Sequence, residues 1–230
     1  MYKNKKFFIL GMARSGYEVA KLLAKDNTVF ITDMKEQDGD KVKELESLGV
    51  TFILSDNPTD LLDDSYDIMV KNPGIKYDHP TVVKAKNMGI PVINEVEVAY
   101  HYLDSNVNII GVTGSNGKTT TVSIIYEIMK KAFGDIKSGD YLVMEISDHQ
   151  LCDMYEFKTN VSVMTNIYDC HADFHDGHDK YVQTKKKIFM NHGKDDVNII
   201  NKDNKEEMAI TRDIKGINYY FNGKDAYFKD

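Results

Sequence analysis

At 230 residues the chain is long enough for one large domain or two modest ones, each able to bury its own core. Apolar residues make up 42% and charged residues 28% with a net charge of -7, which excludes a disordered chain and argues against broad nucleic-acid binding. No run approaches the roughly eighteen apolar residues of a membrane span, the amino terminus lacks the apolar core of a signal peptide, and Cys152 and Cys170 are too few for a disulfide framework, so a cytoplasmic protein with no membrane partner is expected.

Apolar runs of strand character alternate with stretches of helical period, the pattern of an α/β protein with mainly parallel sheets. Lys6 to Leu10 reads as a strand, Ser15 to Lys25 as the helix after a glycine turn, and Thr28 to Thr32 as a strand ending at Asp33. A charged helix follows around Asp40 to Leu48, then strands at Val50 to Ile53 and Tyr66 to Val70, the latter running into the turn signal Asn72-Pro73-Gly74. A helix from about Thr81 to Asn87, a strand Pro91 to Ile93 and a helix from Glu95 complete a first domain, residues 1–104. Asp104-Ser105-Asn106 reads as a polar link into a second domain, 105–230, which opens with the strand Asn108 to Val112 and a helix from Lys118 to about Lys131. Further strands are predicted at Tyr141 to Glu145, Val161 to Thr165 and Val197 to Ile200.

Between the first strand and helix of the second domain lies Gly111-Val-Thr-Gly-Ser-Asn-Gly-Lys-Thr-Thr-Thr121. Glycines there allow a tight turn whose N–H groups point at phosphate oxygens at a helix start, so Gly114, Ser115, Asn116 and Gly117 are candidate ATP contacts. Lys118 adds a cation near the terminal phosphates, and the hydroxyl of Thr119 or Thr120 is placed to join a Mg²⁺ shell. Val112 stands where the usual G-x-x-x-x-G-K-[ST] loop has its first glycine. In the first domain Gly11-Met-Ala-Arg-Ser-Gly16 falls short of a dinucleotide fingerprint, because Ala13 replaces the middle glycine. Taken alone it leaves a nicotinamide enzyme open, while Asp33 at a strand end is also compatible with a plain turn or cap. His171, His175 and His178 have a spacing that admits zinc or a solvated loop.

The form Thr-Gly-Ser-Asn-Gly-Lys-Thr-Thr resembles the phosphate loop of the Mur ligases. Six further segments fall in that family's order: Gly11 to Gly16 with Asp33, Lys71 to Ile75, Asn94 to Glu97, Glu145 to Leu151, Thr165-Asn166 with His171, and Tyr181 to Phe189. The likeness is to the branch that joins D-glutamate to UDP-N-acetylmuramoyl-L-alanine. It implies a Rossmann-like domain for the UDP sugar and a P-loop central domain, with substrate contacts from Gly11, Arg14, Ser15, Gly16, Asp33, Asn72, Ser147 and Gln150. It further implies Glu145, His171 and Thr119 as metal ligands, and Lys185 as a catalytic lysine that binds the metal when carbamylated. ATP and Mg²⁺ are the implied cofactors, UDP-N-acetylmuramoyl-L-alanine and D-glutamate the partners, and a monomer is expected.

His149 stands where the family has an aromatic, Cys170 where it has an aspartate, and residues 132–140 are too few for the family's extra strand and Gly-Asn-x-Gly turn. The central domain is therefore expected to be incomplete, and a third, C-terminal ligase domain to be absent. A module that binds nucleotide or UDP sugar without turnover is the alternative to a working ligase.

Overall fold

The computed structural model describes residues 1–133, 141–168, 172–224 and 226–228. The chain divides into two compact units, Met1–Leu103 with Asp153–Tyr155, and Asp104–Cys152 with Glu156–Asp230.

In the first unit β1 (Lys6–Leu10), β2 (Thr28–Asp33), β3 (Thr51–Leu54), β4 (Ile68–Lys71) and β5 (Val92–Ile93) form a parallel sheet in the order β3-β2-β1-β4-β5. Helices α1 (Arg14–Leu23), α2 (Gly39–Ser47), α3 (Pro80–Asn87) and α4 (Glu95–Tyr100) make the connections. The unbroken apolar run of β1 marks a strand buried on both faces. Phe7 and Ile9 join one core with Leu23, Ile31 and Leu45, and Phe8 and Leu10 join the other with Met69, Val82 and Ala85. Each such side chain contributes about 1.5–3 kcal/mol. The order of connection reverses between β1 and β4, and in an open α/β sheet the crevice at that point is where ligands bind. Helix α1 stops at Leu23, short of the predicted Lys25, where the Asn27 amide donates to the Leu23 carbonyl at 3.0 Å. The strand predicted at Tyr66 to Val70 is shifted to Ile68–Lys71, with Asp67 just ahead of it taking the Lys6 N–H on its carboxylate at 2.8 Å.

The second unit carries β6 (Asn108–Thr113), β7 (Tyr141–Glu145), β8 (Val161–Met164), β9 (Val197–Asn201), β10 (Ile217–Phe221) and β11 (Ala226–Phe228), in the order β11-β10-β9-β8-β6-β7. All pairs are parallel except β10 with β11. Its helices are α5 (Lys118–Phe133), α6 (Asp148–Cys152), α7 (Ala172–His175), α8 (His178–Lys186) and α9 (Lys205–Ile210). The last two strands and α9 were not read from the sequence. Beneath β8 a buried polar cluster replaces apolar packing: His192 Nδ1 donates to Asn198 Oδ1 at 2.7 Å, while Nε2 meets Thr159 Oγ1 at 2.7 Å and Ser162 Oγ at 3.1 Å. Among the described residues no helix is long and apolar enough to cross a membrane.

Helix α9 brings in a fully buried carboxyl, Glu207, which accepts the Asn201 N–H at 2.7 Å with one oxygen and has no hydrogen-bond partner among the described residues for the other. Burial pushes its pKa up to about 8, only partly opposed by the Asn201 N–H. Since this folded-state value lies above the ordinary 4.5, the native chain binds the extra proton between the two, and stability falls as pH rises from about 4.5 to about 8 before levelling. Glu207→Gln keeps the acceptor and removes the titration. Its unfolding free energy from urea titration should exceed that of the unaltered protein at pH 8.5, by an amount on the order of 1–3 kcal/mol, and approach it at pH 5; an equal difference at both values would contradict this account.

Candidate functional site

The turn from β6 into α5 is held from inside and from beside. Lys118 Nζ folds back to donate to the carbonyls of Gly114 at 3.0 Å and Ser115 at 3.3 Å. The segment after β8 braces the other side: the Ser115 N–H donates to Asn166 O and the Asn116 N–H to Asn166 Oδ1, each at 2.9 Å. Thr165 Oγ1 donates to the Asn116 carbonyl at 2.6 Å, and the Tyr168 N–H to Ser115 Oγ at 2.8 Å. Gly114 is the close approach in this arrangement. A Cβ there would lie 2.0 Å from Thr165 Oγ1, and its φ of +145° is one that side chains avoid. Asn116, Gly117, Thr119 and Thr120 are exposed on the outer side of the turn. Thr119 Oγ1 donates to Glu145 Oε2, at the end of β7, at 2.6 Å. Two hard oxygens at the start of the helix after a phosphate-type loop form a donor set that fits Mg²⁺.

Behind the loop lies a buried ionic cluster. Tyr181 and Lys185, four apart on α8, face the same way, while Phe189 sits beyond the α-helix on a 3₁₀ turn, Lys187–Phe189. Tyr181 OH meets Ser115 Oγ at 2.7 Å. Lys185 Nζ, fully buried, donates to Gly114 O at 3.2 Å, lies 4.8 Å from the Tyr181 ring centre and 3.6 Å from Asp148 Oδ1. Asp148 Oδ2 also takes His175 Nε2 at 2.6 Å and His149 Nδ1 at 3.2 Å. Burial alone would push the Asp148 carboxyl up, but the two imidazoles and the Lys185 ammonium hold it well below the usual carboxylate range.

Ser147 and Gln150 are occupied with each other. The Ser147 N–H donates to Gln150 Oε1 at 2.9 Å and the Gln150 N–H to Ser147 Oγ at 3.2 Å, capping the short helix α6. His175 and His178 go to different carboxylates, the latter to Glu206 at 2.7 Å, so these two imidazoles do not share a zinc site. His171 and Cys170 lie outside the described residues, as does the segment 134–140.

Residues the sequence reading missed close the site. A cavity of about 410 Å³ is lined by Ile167, Tyr168, His178, Asn201, Asn204 and others. Asn201 Nδ2 donates to Thr165 O at 2.9 Å and Asn204 Nδ2 to Ile167 O at 2.7 Å, so the two asparagines hold the strap that holds the loop. The signal available for them was a polar turn, Asn201-Lys-Asp-Asn204, directly after a strand.

In the first unit Gly11, Asp33 and Asn72 line a cavity of about 770 Å³ at the switch point of the sheet. Gly16 is required for packing, since a Cβ there would stand 2.2 Å from Gly11 O. Asp33 braces the turn by accepting the Met12 N–H at 2.7 Å and the Lys35 N–H at 2.9 Å. Asn72 Nδ2 reaches Ser15 Oγ at 3.4 Å, and Arg14 is exposed at the start of α1.

Gly114→Ala is expected to destabilise the second unit by about 1–3 kcal/mol, because a side chain must be forced against Thr165 in a strained conformation. Urea unfolding measures this; an unchanged midpoint would show that the loop relaxes freely.

A family model described as Mur ligase MurD-like, N-terminal domain matches residues 5–94, and one described as Mur ligase middle domain matches residues 135–230. A UDP-N-acetylmuramoylalanine--D-glutamate ligase of Geobacillus sp. (strain WCH70) is 35% identical over 253 residues, covering 100% of this chain and 56% of that protein. The enzyme of the same name from Enterococcus hirae is 38% identical over 234 residues, covering 93% and 50%. The chain thus spans about half the length of the curated relatives it matches. Among solved structures, the UDP-N-acetylmuramate:L-alanyl-gamma-D-glutamyl-meso-diaminopimelate ligase from Neisseria meningitides has a TM-score of 0.57 at 15% identity, covering 94% of this chain and 80% of that one. The UDP-N-acetylmuramate-alanine ligase from Thermotoga maritima has a TM-score of 0.54 at 18% identity, covering 97% and 54%, and both share the fold. With both domain models matched in order along two parallel-sheet α/β units, this chain belongs to the Mur ligase family.

Proposed function

We propose that this chain serves an ATP- and Mg²⁺-dependent ligase reaction in peptidoglycan synthesis, the joining of D-glutamate to UDP-N-acetylmuramoyl-L-alanine through an acyl phosphate. The observation that carries the reading is the convergence on one loop of Lys118, the Thr119–Glu145 pair and the buried Lys185. The substrates named are those in the names of the curated relatives.

A carboxylate is a poor acyl donor, so its attack on the γ-phosphate of ATP supplies a leaving group, and the amine of D-glutamate then displaces phosphate. What the protein must do is hold two anions in line and screen their charge. The N–H groups of Gly114, Gly117 and Lys118 are assigned the phosphates, those of Ser115 and Asn116 being held by Asn166, and Lys118 Nζ is assigned a phosphate oxygen in exchange for the loop carbonyls it now holds. Thr119 and Glu145 would hold Mg²⁺, which neutralises phosphate charge when bound. Lys185 reaches the loop through Gly114 O, and its contact with Asp148 is that of an ammonium. A carbamate on Lys185 would be an anion facing that carboxylate, so carbamylation calls for a cation between the two. In the first unit the Gly11 to Gly16 turn, Asp33 and Asn72 are assigned the UDP sugar. A monomer acting on small-molecule substrates in the cytoplasm, without nucleic acid, completes the proposal.

Lys118→Ala should weaken Mg-ATP binding in titration calorimetry by well over tenfold, at least about 1.4 kcal/mol. Phosphate release from ATP should depend on UDP-N-acetylmuramoyl-L-alanine; release indifferent to it would defeat the ligase reading.

The first unit should be stabilised by UDP-N-acetylmuramoyl-L-alanine and not by NAD, because a ligand bound only by the native state raises its melting temperature by mass action. A shift with NAD alone would return the glycine turn to a dehydrogenase.

A further inference from the structure

Lys71 ends β4 with its whole side chain out of water, one of the largest fully buried side chains in the protein. Burying an ammonium is costly unless its interactions with water are replaced, and here two carbonyl acceptors and one carboxylate at ion-pair distance replace them. Asp153 Oδ2 lies 2.8 Å from Nζ, in the short segment Asp153–Tyr155 that belongs to the first unit. The two acceptors are carbonyls of the turn that follows Lys71 itself, Ile75 O at 2.8 Å and Asn72 O at 3.4 Å. The lysine therefore reaches forward and grips both ends of Asn72-Pro-Gly-Ile75, while Asp153 fixes the head of the lysine.

That turn forms one wall of the 770 Å³ cavity, with Asn72, Gly74 and Ile75 on its lining. It is internally closed by the Ile75 N–H to Asn72 O at 3.0 Å and the Gly74 N–H to Asn72 Oδ1 at 3.1 Å. It also seats against the glycine turn opposite: a Cβ on Gly11 would touch Asn72 Cβ at 3.4 Å and Ile75 Cδ1 at 3.5 Å. A displacement of the Asn72 to Ile75 turn would change the width of the cavity at the point where Gly11 faces Asn72 and Ile75.

We propose that Lys71, pinned by Asp153, is a positioning residue for the ligand of the first unit: it clips the Asn72 to Ile75 turn at the spacing from Gly11 that a uridine diphosphate sugar requires. This rests on reading that cavity as the UDP-sugar site. The clip acts through two carbonyls, so a methionine of similar shape cannot replace it, and neither can any apolar pair that merely restores packing.

The test is the double variant Lys71→Met/Asp153→Leu, which removes both charges together and avoids leaving a buried carboxylate unpaired. Calorimetry with UDP-N-acetylmuramoyl-L-alanine and with Mg-ATP is combined with hydrogen exchange of the Gly74 and Ile75 amides. The clip predicts a native melting transition, at least a tenfold loss of UDP-sugar affinity, unchanged Mg-ATP affinity, and at least tenfold faster exchange at Ile75 with the β1 amides unaffected. A purely packing role for the pair predicts UDP-sugar affinity within twofold of the unaltered protein and an Ile75 amide as protected as before, and that result overturns the proposal. If the double variant fails to fold, Asp153→Asn is used, which frees the head of Lys71 and leaves the side chain in place; unchanged affinity and exchange there overturn it equally. Should the unaltered protein bind no UDP sugar while Ile75 loosens in the variant, the clip stands and the assignment of the cavity falls.

Discussion

The carbonyl of Gly114 accepts hydrogen bonds from two ammonium groups, Lys118 Nζ at 3.0 Å and Lys185 Nζ at 3.2 Å, and the missing side chain at that position lets Thr165 and Asn166 close on the same backbone. Much of the second unit is arranged around this point. One lysine belongs to the helix that the loop opens, the other to α8, more than sixty residues later in the chain. The loop is thereby fixed between β6 and the segment after β8, on the side of the sheet where strand connections reverse.

Two lysines inside an acidic chain are held by the same device in the two units. Lys185 faces Asp148, and Lys71 faces Asp153; all four side chains are at most 3% exposed. In each case the ammonium also donates to the carbonyl of a turn that lines or forms a candidate site. A buried pair of this kind adds little net stability over a well-packed apolar pair, but losing one partner leaves a charge that the interior cannot solvate. Such pairs are better understood as fixing where a turn lies than as holding the fold together. The bulk of folding energy comes from strands such as β1, covered on both faces.

Asp148 illustrates how one carboxylate can organise several elements. It draws His175 from α7, His149 from its own helix and Lys185 from α8 towards the back of the turn from β6 into α5. Glu207 does the opposite work, its carboxyl pushed up by burial under the turn that carries Asn201 and Asn204. Both groups are remote in sequence from the loop they support: Asp148 acts through Lys185 on Gly114 O, and Glu207 through the Asn201 N–H, whose amide in turn holds Thr165 O.

What was legible in the sequence follows from range. The alternation of strand and helix, the doubly covered strands and the glycine turns are set by residues within a few positions of one another, so the α/β class and the two glycine turns could be read directly. The face shared by Tyr181 and Lys185 was likewise a matter of helical period. Strands β10 and β11 and helix α9 were not foreseen, because these short elements lack a long periodic stretch and depend on an existing sheet edge or turn for their pairing. The roles of Asn166, Asn201, Asp148 and Asp153 were out of reach for a simpler reason. A carboxylate or amide in a polar stretch looks like a solvated loop residue until the fold removes the water around it. Only the tertiary structure decides which buried lysine or loop carbonyl must then take its place.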